Sequence, residues 1–580
     1  MDEQRQNTSS EPQVEIPSSV LTRQLSKPAS SVREVTQLAR FLYNHNPFYV
    51  ISAYLVLTGL WQSFSHDSKW LVVGTIPLGL AAYTVLLAVT AWLIIRLGRV
   101  WEDARSILLI IVMMFLAISI SLDPLLNNRG QRGLWFSLAG LSFAVALSES
   151  VLHGISLRLP FLFRGPYYLL LALFFLYPLA ISPLSSHPTW PSLYWALFGF
   201  STVAGAVFLT LVPAVLRGAA YLNDNGSPWR WPLYPWVLFG TLGLCVCMRA
   251  YYLCVSFLPV GGKASIFGPY FLIPFLLAVN VLYVEGAAQG RGTFARRVAL
   301  ILPGLLLVLA MLGHRSDPVY SRFLHRFIDA LHSTPLHLTL LAVVGLYAYA
   351  LVRRLPGAGN ALAGAVSLLA FVAPQTMDLD GMTYQYAWPL IAVGGVQAAI
   401  GCERRDSLRT SLGAACAIAP LALGAHLGWL TPYRAIVVAH AATAAVLLVG
   451  ALFHDEWARF LRIAGAGLLA TGTLAAANVT PNDFPHLPAT VIYLYPFVPV
   501  LIALGYARRR GGTLYQAAAA VGATVWLVPY GWEIYRQLRQ SILGLDKITG
   551  GVLVFLLAAT LSFFKAGLWQ RWYPTQRVTD

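Results

Sequence analysis

Three cysteines and one arginine share the stretch "GTLGLCVCMRAYYLCVSFL", residues 240–258. A zinc or iron–sulfur centre needs three or four converging ligands, usually supplied as CxxC pairs. On a helix Cys247 and Cys254 share a face at i, i+7, while Cys245 points away from Cys247. They are expected to pack as small apolar side chains. With Cys402 and Cys416 as the remaining cysteines, no disulfide framework is indicated. Arg249 makes the chemical demand in this stretch. Hydrocarbon solvates a guanidinium poorly, so Arg249 is expected to face a polar cavity or a partner acid.

Polar residues collect near one set of ends of the apolar runs. Asp123 follows a run in "SLDPLL", and Gln375, Asp378 and Asp380 follow another in "APQTMDLDGMTYQYAW". His426, His440, Asn478 and Glu533 continue the pattern. Arg249, Glu533, His440, Gln375 and Asp123 together make a candidate substrate-binding set, open to the extracytoplasmic side. Asp378 and Asp380, two residues apart, are candidate catalytic residues, since paired carboxylates hold a divalent cation or act as a base.

In "HRSDPVYSRFLHRFIDALHSTPLH", Ser316 is the expected helix cap, with Pro318 in the first turn. Val319, Phe323, Phe327, Ile328 and Leu331 then form an apolar stripe, the pattern of an amphipathic helix over 316–333 lying in the outer membrane interface. His325, Asp329 and His332 stand at i, i+4, i+7 and are the candidate metal ligands. The favoured reading of the same three is a polar face toward headgroups, and no metal or other cofactor is expected. Toward the other side, Glu149 and His153 stand one turn apart and could pass a proton. Glu102, Asp103 and Arg105 in "WEDAR" are expected to pair.

The elements that must position these groups are set by composition. Of 580 residues, 57% are hydrophobic and 11% charged, whereas soluble domains run to about a quarter charged. The expected fold class is all-α: a polytopic integral membrane helical bundle. Apolar runs long enough to span number about sixteen to eighteen. They begin at 47–63 and 69–95 and end at 514–535 and 547–565.

The net charge is +16 and almost all the basic residues are arginine, lysine standing only at Lys27, Lys69, Lys263, Lys547 and Lys565. That balance suggests a GC-rich bacterial gene. The basic residues sit in alternate loops rather than on one face, which argues against nucleic acid and for both termini in the cytoplasm of an inner membrane.

Residues 1–46 are polar and aperiodic, and are expected to be a disordered cytoplasmic tail without a cleavable signal. An aromatic and Leu-rich half (47–352) precedes an Ala/Gly-rich half (353–566), and 567–580 form a cytoplasmic tail. Small residues let helices approach closely, so the second half is expected to be the tighter bundle.

Walker, HExxH, GxSxG and haem-attachment motifs are missing from the sequence, which excludes ATP-driven transport by this chain and most soluble enzyme classes. Three functions remain. The first is a transporter-like protein for a polar or anionic solute. The second is a membrane transferase acting on a lipid-linked substrate at the outer face. The third is a non-catalytic assembly subunit. The lipid bilayer is the one partner expected in every case.

Overall fold

The structure is a computed structural model that describes residues 48–64, 70–128, 130–185, 191–222, 226–229, 231–257, 266–290, 292–424, 433–479, 488–510, 513–542 and 544–565. The tails expected at 1–46 and 567–580 lie outside the described residues, as do His426 and the side chain of Glu533.

The chain divides into two units. The first comprises Met1–Pro335 and Tyr349–Pro356. Its helices are α1 (Phe48–Phe64), α2 (Trp70–Gly98), α3 (Trp101–Ser121), α4 (Asp123–Asn128), α5 (Gly130–Gly154) and α6 (Phe161–Ser185). They continue with α7 (Pro191–Leu209), α8 (Val212–Arg217), α9 (Leu233–Ser256), α10 (Ile273–Gln289), α11 (Thr293–Met311) and α12 (Pro318–Leu331).

Helix α13 (Pro335–Val352) contributes Leu336–Ala348 to the second unit and its last residues to the first. The second unit continues with α14 (Ala358–Leu368), α15 (Trp388–Arg404), α16 (Ser407–Leu423), α17 (Arg434–Leu452) and α18 (Glu456–Ala477). It ends with α19 (Ala489–Leu494), α20 (Phe497–Arg510), α21 (Thr513–Ser541) and α22 (Leu545–Lys565).

The protein is an all-α, multi-pass membrane protein. The apolar runs expected from the sequence each contain helix, but the described residues contain twelve helices long and apolar enough to cross a membrane, fewer than expected. Length accounts for part of the difference. Helices α1, α15 and α16 have 17 residues each, about 25 Å at 1.5 Å per residue, against a hydrocarbon core of about 30 Å. The run expected over 360–376 is helical only to Leu368.

Helix α12 starts one residue later than expected. Asp317, not Ser316, is the cap: its carboxylate accepts from the Val319 N–H at 2.9 Å, with Pro318 in the first turn. The buried stripe is also rotated, to Tyr320, Phe323, Leu324 and Phe327, leaving Leu331 exposed. This face meets protein. Phe323 stacks on Tyr194, and Phe327 stacks on Trp195 and lies edge-on to Phe198.

Close packing by small residues is concentrated in α15 and α16. A Cβ on Gly413 would stand 2.5 Å from the Ala398 nitrogen, and one on Gly394 2.6 Å from the Gly413 carbonyl oxygen. Only glycine permits that approach. The Ala-rich helices α17 and α18 pack with α20 around Leu447, Leu469 and Val500 but also leave a large space beside that core, so the expected tightness does not extend through the second unit.

Candidate functional site

Arg249 has its partner. Its Nη1 and Nη2 donate to the two carboxylate oxygens of Asp123 at 2.6 and 2.7 Å, and both side chains are 0% exposed. Local sequence prepares the site on two sides. Asp123 sits where α3 gives way to α4, at the Pro124 that follows it. On α6, the Phe174 carbonyl would normally accept from residue 178, but Pro178 has no N–H to give. Ser119 Oγ takes that carbonyl at 2.6 Å, and Arg249 Nη2 reaches it at 3.4 Å. Arg249 and Asp123, two of the candidate binding residues, are thus joined to each other, and both oxygens of the acid are occupied. The arrangement ties α3, α6 and α9 together and leaves no exposed surface on the guanidinium for a solute's charge.

The neighbouring cysteines carry no ligand set. Cys245 and Cys254 are buried and free, and Cys247 is partly buried. Among the described residues no group of three or more His, Cys, Asp or Glu side chains is placed to hold a metal ion. His325, Asp329 and His332 do not form one. His332 ends α12 in the left-handed conformation (φ 50°), which takes it off the regular helix face, and the His325 ring lies against the Ser321 carbonyl.

Two acids toward helix ends are paired. Glu149 meets Arg164, Tyr168 and His153. Glu285 meets Tyr349 and the Arg353 guanidinium, the latter at 2.6 Å. These contacts anchor neighbouring helices.

Gln375, Asp378 and Asp380 are exposed in the irregular segment after α14. Asp378 accepts from the Gly381 N–H at 3.0 Å, a local turn contact, rather than aiming with Asp380 at a common ion. Glu533 falls on α21, its side chain undescribed.

His440 has a different setting. It lies on the wall of an open-sided cavity of about 1060 Å3 between α17, α18 and α20, with Tyr495, and Leu448 and Leu452 on its rim are 62% and 63% exposed. The Tyr495 hydroxyl is 3.0 Å from His440 Nε2, and His440 Nδ1 is 2.7 Å from the Ile436 carbonyl. Tyr495 is positioned by Pro496, which interrupts the chain between α19 and α20. Away from this pair the walls are mostly Ala, Leu, Gly and Ile, with the Thr443 hydroxyl one turn from His440 and Tyr506 one turn from Arg509, near the far end of α20. His440 and Leu452 both line the cavity and stand about 18 Å apart along α17. The cavity therefore has polar groups at its two ends and an apolar length between them.

Sequence reasoning singled out His440 but missed Tyr495, Arg509 and the space itself. The signal available was the run of small residues on α17 and α18, which permits a void as readily as close contact. No protein-family model, curated protein or solved structure matches this chain.

Proposed function

We propose that the protein is transporter-like and that its substrate is an amphipathic, lipid-like molecule carried along the cavity of the second unit. The observation that carries this reading is the 1060 Å3 apolar space with His440 and Tyr495 toward one end and Arg509 toward the other. Ligand cavities usually run to about 300–1000 Å3 with a few placed polar groups on apolar walls. An acyl or polyprenyl chain fits the long apolar section, while its head exchanges between Arg509 and the His440–Tyr495 pair. A small polar anion gains nothing from such walls. The buried Asp123–Arg249 pair offers it no alternative seat, so the lipid-like substrate replaces the polar solute. The transferase reading has less support, because Asp378 is turned into its own loop and no partner group assembles around Asp380 among the described residues.

The test is movement of NBD-labelled phosphatidylglycerol between leaflets of proteoliposomes containing the full chain. Gly472 and Gly505 line the cavity, and a Cβ on either meets nothing within 4 Å. Gly472→Trp and Gly505→Trp are expected to fill the cavity, keep the melting behaviour and abolish lipid movement. Wild-type vesicles no faster than protein-free ones, or plugged variants as fast as wild type, would overturn the proposal.

A further inference from the structure

Arg105 does not pair with Glu102 or Asp103: its guanidinium makes no hydrogen bond or ion pair with any described residue. It lies on the wall of a second cavity, in the first unit, of about 90 Å3 and lined by Leu108, Val112, Leu152 and Val237 among others. One water needs about 10–15 Å3, and packed interiors hold few voids larger than that. A neighbouring polar cavity of about 400 Å3 shares Leu152, Leu157 and Leu159 with it. Arg158 and Arg164 line this second space. Arg164 is neutralised by Glu149, whereas the exposed Arg158 has no acid partner among the described residues.

Arg105 therefore lines the apolar hole and Arg158 the polar space beside it, and neither has an acid partner among the described residues. Arg105 lies four residues into α3, and Arg158 lies in the connection from α5 to α6. Both stand at helix ends, the depth at which lipid headgroups meet a membrane protein. Basic recesses between spanning helices are suited to acidic headgroups. We propose that the paired cavities bind an anionic amphiphile, with its head in the polar space at Arg158 and only the first few methylenes of its chain entering the small apolar cavity beside Arg105. This site is separate from the cavity of the second unit and does not depend on it.

The experiment uses the full chain, delipidated and placed in phosphatidylcholine nanodiscs. Binding of phosphatidylglycerol is read by native mass spectrometry, with palmitate and inorganic phosphate as competitors. Phosphatidylglycerol should be retained in preference to phosphatidylcholine. Arg105→Gln and Arg158→Gln should each weaken it about fivefold, as expected for about 1 kcal/mol per arginine. Displacement by palmitate assigns the site to a free fatty acid, and resistance to palmitate assigns it to a membrane phospholipid. Equal retention of both phospholipids, unchanged affinity in both variants, or equally effective competition by inorganic phosphate would overturn the proposal. The Arg158 variant guards against misfolding, because its side chain is exposed, and Gly472→Trp should leave this binding unchanged.

Discussion

Asp123 and Arg249 stand 126 positions apart in sequence and close a bidentate ion pair with no exposed surface on either side chain. Removing one partner strands the other charge in an apolar interior. Arg249→Ala is expected to cost about 3–5 kcal/mol, read as a lower melting temperature in detergent. Arg249→Lys should recover only part of the loss, since an ammonium cannot reproduce the two parallel bonds. Replacing both partners, as Asp123→Leu with Arg249→Met, should restore most of the stability, because the desolvation cost of both charges disappears with them. A double variant as unstable as Arg249→Ala would show that the pair is not the source of the effect.

The approach of α15 to α16 gives a matched pair of substitutions on one helix pair. Gly413→Ala must push the Ala398 backbone away, a steric cost of about 1–3 kcal/mol. Gly395→Ala meets nothing within 4 Å and should leave stability unchanged or raise it by up to about 1 kcal/mol through helix propensity. Thermal unfolding of the two variants separates close packing from general helix effects.

Hydropathy made the helices legible, because lipid and packed protein both demand apolar side chains along their length. It also made Arg249 and Asp123 legible singly, as charges in the wrong solvent. Their pairing was not, since no local pattern links positions so far apart. One local clue existed: Pro178 stands four residues after Phe174 and leaves that carbonyl open to a donor from elsewhere. Helix α12 was legible as amphipathic, but its stripe was read one step off because Tyr320 and Leu324, themselves i, i+4, were left out of it. The cavity beside His440 was not legible. Alanine and glycine specify small side chains, and only the spacing of three helices decides whether these leave contact or space.

The cap of α12 separates neighbours that look equivalent in sequence. Asp317→Ala should cost about 1 kcal/mol and Ser316→Ala close to nothing, with faster amide exchange over 318–331 in the first variant alone. His332→Gly should be neutral or stabilising, because φ 50° is a conformation glycine adopts freely. Added zinc should change the melting temperature of neither wild type nor His325→Ala, whereas a zinc-dependent gain lost in that variant would restore a metal role.

Ser407 and Asp455 join the starts of α16 and α18, and their contact is sensitive to acid. The buried Ser407 hydroxyl donates to the Asp455 carboxylate, whose other oxygen accepts from the Ala458 N–H at 3.0 Å. The Ser407 bond, with these backbone donors beside it, holds the Asp455 carboxyl below its ordinary range. A depressed folded pKa contributes stability above the unfolded value of about 3.9, and that contribution is lost as pH falls through the lower folded value. Ser407→Ala should therefore melt below wild type at pH 6, with the gap narrowing only as pH drops beneath the ordinary carboxylate range. Asp455 is exposed, so water screens the interaction and the pH-dependent part should be small. A gap of constant size down to pH 2 would assign the whole effect to the space left by the hydroxyl and none to the ionised carboxylate.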